Sequence, residues 1–163
     1  MESAGTGGQG KILTMLKEKL RTDLSVAMKA RDEVRTRTIR MALTALTNEE
    51  VSGKQARELS DDEVVKVLQR EAKKRREAAE AFADAGRTDQ AEAERAEGVI
   101  LDEYLPAQLS DEELTALVAD AIAETGADGP RAMGQVMKAV TPKVAGRADG
   151  RRVSGEVKRQ LTG

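Results

Sequence analysis

The side chains most able to do chemistry in this sequence are carboxylates, because its 163 residues include no cysteine and no histidine. Thiolate nucleophiles, disulfides, imidazole bases and the usual zinc ligands are therefore excluded. Glu77 with Glu80, and Glu94 with Glu97, have the i,i+3 spacing that brings two carboxylates to one helix face. Helical di-metal sites also use histidine. We therefore interpret the acidic run 77–124 as solvated helix surface and expect no metal, no other cofactor and no catalytic residue, with weak Mg²⁺ binding as the alternative.

The second chemical candidate is the basic run KAVTPKVAGRADGRRV, residues 138–153. It is not a phosphate loop of the G-x-x-x-x-G-K-[ST] type, since Arg151 and Arg152 follow Gly150 and no strand pattern precedes them. From Arg131 onward eight basic residues face two acids, a net charge of +6, whereas the other 130 residues carry −8. Such asymmetry indicates a polyanion-binding tail. The candidate RNA-binding residues are Lys138, Lys143, Arg147, Arg151, Arg152, Lys158 and Arg159.

The chemistry of this basic run favours the backbone of folded RNA over single strands. Free N–H groups at the start of the last helix, beside the arginines of residues 147–152, form an electropositive end suited to a phosphate. Phe82 and Tyr104 are the only aromatic residues of the chain and lie outside the run. The run therefore lacks a platform for stacked bases. Gly146 is predicted to adopt a left-handed turn, and Asp149 to cap the last helix.

Four amphipathic helices are predicted in the amino-terminal part, because apolar residues recur there every three or four positions. Ser60 and Glu63 have the S-x-x-E spacing of a capping box. Gly86 is placed to end the third helix, and Thr88 is predicted to cap a fourth helix over 89–104. The predicted apolar stripes are Leu13, Leu16, Leu20, Leu24, Ala27 and Met28 over 11–31, Val34, Ile39, Ala42, Leu43 and Leu46 over 32–51, and Val64, Val65, Leu68, Ala72, Ala79, Phe82 and Ala83 over 60–85.

Three further helices are predicted in the carboxy-terminal part. Residues 110–113 repeat the capping-box spelling and open a fifth helix that Gly126 ends. Pro130 fits the first turn of a sixth helix, since it has no N–H to leave unpaired there, and Pro142 is predicted to interrupt that helix. The inward residues of these helices are Leu114, Leu117, Val118, Ala121 and Ile122, then Met133, Val136, Met137 and Val140, then Val153, Val157 and Leu161.

The predicted fold class is all-α, because no segment shows the two-residue alternation of a strand. We predict a disordered tail over residues 1–10, a four-helix bundle over residues 11–106 and a basic three-helix domain over residues 107–163. No window approaches the ~20 apolar residues of a membrane span, and no signal-peptide pattern opens the chain. We therefore expect a cytoplasmic protein that does not engage membranes, and a monomer, with the oligomeric state left open.

Two groups of basic residues in the amino-terminal part are predicted to form ion pairs. Residues 73–76, KKRR, spread around a helix because they are consecutive, and their partners are expected to be Glu77, Glu80 and the acidic fourth helix. The same interpretation applies to Arg35, Arg37 and Arg40.

The carboxy-terminal residues resemble a known family. The run RAMGQVMKAVTPKVAGRADGRRVSGEVKRQL, residues 131–161, is similar to the carboxy-terminal part of the GatB/YqeY family, and residues 71–114 resemble its stand-alone YqeY-type members. The similarity covers nearly everything after Gly10. The positions that carry it in the first run are Met133, Gly134, Val136, Met137, Pro142, Gly146, Ala148, Asp149, Gly150, Val153, Val157 and Leu161.

This resemblance implies an all-helical fold of two bundles. In the larger relatives, the B subunits of the glutamine-dependent aspartyl/glutamyl-tRNA amidotransferase, the module is a tail that engages tRNA while a separate body transfers the amide. We expect no counterpart of that body in these residues. Three hypotheses stay open: a non-catalytic module that binds tRNA or another structured RNA, a component of a carbon–nitrogen ligase with glutamine as amido donor that is active only with partner subunits, and a protein–protein adaptor.

Overall fold

The computed structural model describes the backbone from Ala4, and the side chains from Met15, through Gly163. This part of the chain forms seven α-helices and one short 3₁₀ turn and contains no strand, which confirms the all-helical prediction for it. The helices are α1 Ala4–Lys29, α2 Glu33–Glu50, α3 Asp61–Asp84, α4 Thr88–Asp102, α5 Asp111–Thr125, α6 Met133–Val144 and α7 Gly150–Thr162, and the 3₁₀ turn is Pro130–Ala132.

Part of the amino-terminal prediction falls outside the described residues. Residues 1–3 are not described, and neither are the side chains before Met15, which include Leu13 of the first predicted stripe. The disordered tail over residues 1–10 stays a prediction for this reason, although α1 begins at Ala4.

The chain divides into two compact units, of which the first ends at Leu105 and the second begins at Pro106. The first unit contains α1–α4. Fully burying one Leu or Ile side chain contributes about 1.5–3 kcal/mol, so the shared core is the main source of its stability. The buried core residues are Leu20, Ile39, Ala42, Leu46, Leu59, Val64, Val67, Leu68, Ala72, Leu101 and Tyr104.

The second unit has its own core, built from α5, α6, α7 and the loops before and between them. Valines dominate it, and they are spaced by four residues on α6 and on α7, so that each helix turns one stripe inward. The buried residues are Leu109, Leu114, Val118, Ala121, Val136, Val140, Val144, Ala148, Val153 and Val157. None of the helices in the described part of either unit is long and apolar enough to cross a membrane.

Three residues predicted to face inward are exposed instead. Met28 is 49% exposed and Val34 is 38% exposed, and Ala83 is also exposed. Each lies in the first or last turn of its helix. The periodic pattern extends to the helix ends, whereas the partner helices that bury a stripe do not cover those turns.

Both predicted capping boxes are present. The Ser60 hydroxyl accepts from the Glu63 N–H at 3.3 Å, while a Glu63 carboxylate oxygen accepts from the Ser60 N–H at 3.1 Å. Ser110 and Glu113 repeat this exchange at 3.1 and 2.9 Å. The backbone N–H bond of the cap serine lowers the pKa of Glu63 and of Glu113. Local sequence alone sets the start of α3 and of α5.

The prediction that Thr88 caps α4 is wrong. Thr88 is the first helical residue, and the cap position is Arg87, whose side chain makes no capping bond. The link from α3 is too short for a separate cap, because the Arg87 N–H already donates to Phe82 O at 2.8 Å to close the end of α3.

The prediction that Pro142 interrupts the sixth helix is also wrong, since α6 continues to Val144. A proline inside a helix removes one N–H bond to the residue four positions earlier. Here it lies in the last turn, where Val140 and Val144 are buried, and Ala145 N donates to Thr141 O at 3.1 Å beyond it. Packing of the valine face holds the turn despite the missing bond.

Two of the four basic residues 73–76 are paired, and mostly in the other direction along α3. Lys74 and Arg75 bond Glu71 at 3.0 and 3.2 Å, and Arg75 also reaches Glu94 of α4 at 3.5 Å. The pairing with the fourth helix is therefore confirmed, whereas the expected pairing with the two glutamates that follow along α3 is wrong. Glu71 is only 8% exposed, and a buried carboxylate requires such partners.

A polar contact joins the end of α4 to α1 and α2. The Tyr104 hydroxyl donates to the Asp23 carboxylate, and Lys19 Nζ lies 4.7 Å from the centre of the Tyr104 ring. Arg35 donates two parallel bonds of 2.9 Å to Glu103. The hydrogen bond from Tyr104 lowers the pKa of Asp23, the Arg35 guanidinium lowers that of Glu103, and burial together with Asp23 raises the pKa of Tyr104.

We predict that Tyr104→Phe lowers the free energy of unfolding by about 1–2 kcal/mol at pH 7, since it removes a hydrogen bond to a charged acceptor. The low folded-state pKa of Asp23 means that its contribution is present above the usual carboxyl value of 3.8 and is lost as the pH falls through the lower folded value. The difference between the wild-type chain and the variant should therefore shrink below about pH 4. Urea unfolding followed by circular dichroism measures this difference at each pH. A difference that stays constant down to pH 2 would contradict the assignment of the bond to the Asp23 carboxylate.

Candidate nucleic-acid interface

The loop between α6 and α7 is shaped by two consecutive residues of positive φ. Gly146 has φ 77°, as predicted, and Ala145 before it has φ 50°. Arg147 N donates to Val144 O at 3.0 Å, and Ala148 is buried in the core. The left-handed alanine was not predicted, because nothing in its residue type marks it.

The predicted cap of α7 is confirmed. The Asp149 carboxylate accepts from the Arg151 N–H at 2.8 Å. One of the N–H groups that we expected to be free for a phosphate is therefore occupied by a carboxylate of the same chain. An anion that approaches α7 therefore contacts side chains of the helix before it reaches a free N–H group at the helix end.

Arg147 and Arg152 hold the segment that leads into α5. Arg147 Nε donates to Ala107 O at 2.9 Å, and Arg152 Nη2 donates to Leu109 O at 2.9 Å and to Asp111 Oδ1 at 3.0 Å. Leu109 N returns a bond of 2.8 Å to Arg147 O. We call these four bonds the arginine clasp. Two of the seven candidate RNA-binding residues thus have structural partners.

Two more candidates are in ion pairs. Lys143 Nζ lies 2.8 Å from Glu124 Oε1 on α5, a bond that raises the pKa of Lys143. Arg159 pairs with Glu156 one turn earlier on α7, and this bond lowers the pKa of Glu156. Exposed pairs of this kind contribute little to stability, so an incoming phosphate can compete for either cation.

The three remaining candidates are exposed and unpaired. Lys138, Arg151 and Lys158 have no ion pair and no side-chain hydrogen bond with any residue of the range 15–163. Arg151 and Lys158 are seven residues apart, so they share one face of α7 and lie roughly 10 Å apart along its axis. Gly155 lies between them, with nothing within 4 Å of the point where a Cβ would stand.

We define the outer face of α7 as Arg151, Gly155 and Lys158. It points away from the buried residues Val153 and Val157 of the same helix. It combines two free cations with a residue that has no side chain, so a backbone phosphate can approach the helix closely between them.

The positive charge belongs to the residues from Arg131 onward, not to the second unit as a whole. From Pro106 onward eight basic residues face eight acidic ones, and six of those acids precede Arg131. The pair of Lys143 with Glu124 and the pair of Arg152 with Asp111 join the two kinds of charge. Part of the positive charge that the sequence shows is therefore used in ion pairs within the unit.

The acidic run 77–124 brings no metal-ligand cluster together among the side chains that are described. Two of its four spaced glutamates have cationic partners instead. Glu94 lies 3.5 Å from Arg75, and Glu97 lies 3.6 Å from Arg37.

Comparison with protein-family models matches residues 17–161 to the family described as Yqey-like protein. No curated protein matches the chain. The match spans both units, and its carboxy-terminal part includes the arginine clasp and the outer face of α7.

We predict that Arg152→Met destabilises the chain by about 1–2 kcal/mol, because the Leu109 carbonyl and Asp111 lose a charged donor and the side chain is only 36% exposed. Arg151→Met removes the same charge one position earlier and should change the free energy of unfolding by less than about 0.5 kcal/mol. Urea unfolding of the two variants gives this comparison.

Hydrogen exchange of the Leu109 amide gives an independent measure, since that N–H donates to Arg147 O. Exchange should be faster in Arg152→Met and unchanged in Arg151→Met. Equal loss of stability in the two variants would contradict the structural role of the clasp.

Proposed function

The chain belongs to the YqeY-like family, and we propose that its second unit binds the sugar–phosphate backbone of folded RNA through the outer face of α7. Transfer RNA is the proposed class, because the carboxy-terminal residues resemble the tail with which amidotransferase B subunits engage tRNA. We also propose the helix arrangement predicted from the sequence, in which a bundle of α1–α4 is followed by a smaller bundle of α5–α7. The proposed role is that of a binding module without chemistry of its own.

The observation that carries this proposal is the exposure of Arg151 and Lys158 on one face of α7, without internal partners. Arginine and lysine contacts to phosphate oxygens supply most of the affinity of backbone recognition, and each neutralised phosphate releases counterions. Lys138 on α6 is a third free cation of the same unit. Lys143 and Arg159 add charge that is held by exposed, weak pairs.

The composition of the second unit favours duplex or folded RNA over single strands. Both aromatic residues of the chain lie before Pro106, so the unit offers no ring on which a base could stack. A rigid helix face that presents cations at fixed separations suits a regular A-form backbone, which proteins recognise by shape and by phosphate and 2′-hydroxyl contacts.

We predict that the charge reversal Arg151→Glu with Lys158→Glu weakens the binding of total tRNA by at least tenfold at 50 mM salt. The logarithm of the binding constant should also fall less steeply with the logarithm of salt concentration, by roughly 0.9 for each phosphate that the variant no longer neutralises. Fluorescence anisotropy at four salt concentrations measures both quantities. The helical circular dichroism spectrum should not change, because neither side chain has a structural partner.

The matched control is Lys54→Glu with Lys66→Glu, which changes the net charge by the same amount at exposed positions of the first unit. It should retain at least half of the wild-type affinity. Equal loss in the two double variants would mean that only net charge matters. Absence of wild-type binding at 50 mM salt would reject the RNA proposal altogether.

A further inference from the structure

An open pocket of about 590 Å³ lies in the first unit where α1 ends and α2 begins. Its lining is basic, because three arginines and one glutamate contribute the charged groups. The lining residues are Met28, Arg31, Glu33, Thr36, Arg37 and Arg40.

The arginines of this pocket are less engaged than three others of the same unit. Arg35, Arg57 and Arg70 each lie within 2.6–2.9 Å of a carboxylate oxygen. In the pocket, by contrast, Arg37 reaches Glu97 only at 3.6 Å, and Arg40 Nη2 points at the Met28 sulfur at 3.6 Å.

Neither Arg31 nor Arg40 has an ion pair within the described side chains of the unit. Yet acids outnumber basic residues over 1–105, by 21 to 19. The pocket therefore carries unpaired positive charge, although the first unit has enough carboxylates to neutralise it.

The backbone at Arg31 gives a second reason to look at this site. Asp32 N donates to Ala27 O at 3.0 Å and Arg31 N donates to Met28 O at 3.1 Å, the bond pattern that closes a helix with a left-handed residue. Arg31 is that residue, with φ 57°.

The same bond pattern ends α3, where Arg87 N donates to Phe82 O and Gly86 N to Ala83 O. There the left-handed position is filled by Gly86, with φ 77°, the residue that adopts it without strain. At the end of α1 the chain carries a long cation in the position that suits glycine, and that cation lines the pocket.

We propose that this pocket binds a phosphate group. Guanidinium groups match phosphate oxygens with two parallel hydrogen bonds each, and the Thr36 side chain on the pocket wall offers a hydroxyl donor beside them. A phosphate monoester carries nearly two negative charges at pH 7, which suits three arginines that face one carboxylate in the pocket lining and one, Glu97, beyond it. The site lies in the first unit and does not rest on the RNA proposal for α7.

The test is isothermal titration of the full chain with inorganic pyrophosphate at 20 mM salt. The double variant Arg31→Gly with Arg40→Gln should weaken binding at least tenfold. Arg31→Gly keeps the fold, because glycine suits the positive φ there as it does at Gly86. Lys54→Gln with Lys66→Gln removes two charges elsewhere in the unit and should leave binding within twofold of wild type.

Titration with a short RNA hairpin distinguishes the two sources of a phosphate. If the hairpin displaces pyrophosphate from the chain that carries Arg151→Glu with Lys158→Glu, the phosphate of the pocket is part of an RNA backbone. If it does not, the ligand is a small phosphorylated molecule. No pyrophosphate binding by the wild-type chain, or equal binding by the Arg31→Gly with Arg40→Gln variant, would overturn the proposal.

Discussion

The second unit depends on hydrogen bonds to two backbone carbonyls, those of Ala107 and Leu109. Both carbonyls lie just before α5 and have no partner within a helix. The guanidinium groups of Arg147 and Arg152 supply the donors at 2.9 Å. A buried carbonyl that lacks a donor destabilises a fold by about 1–3 kcal/mol, and Leu109 is buried. The arginine clasp therefore joins the start of the unit to its last loop, and it removes two arginines from the set that is free to bind a ligand.

Because those two arginines have a structural role, each face of α7 can be assigned a separate role. One face carries Val153 and Val157 into the core, Arg152 holds the segment before α5, and Arg151 and Lys158 face outward without partners. A polyanion that binds the outer face leaves the clasp intact. The proposed binding and the stability thus rest on different residues of one helix, so substitutions should separate them.

The helices and their ends could be predicted from the sequence because their causes are local. Ser60, Ser110 and Asp149 accept from N–H groups two or three residues later, and Gly86 and Gly126 end helices by their own φ. The failures have tertiary causes. Pro142 stays helical because neighbouring valines are buried. The partners of Arg147 and Arg152 are backbone carbonyls about 40 residues away, which no residue type reveals. The basic pocket depends on a left-handed arginine that no motif predicts.

The most direct test of the account is a map of amide chemical shifts on the ¹⁵N-labelled chain during titration with a short RNA hairpin. The largest changes in the second unit should fall at Arg151, Gly155 and Lys158, and they should diminish as salt is added. The Leu109 amide, held by Arg147 O, should not move. Changes that centre on α5 or on Leu109, or an outer face of α7 that does not respond to RNA, would contradict the assignment of binding to that face.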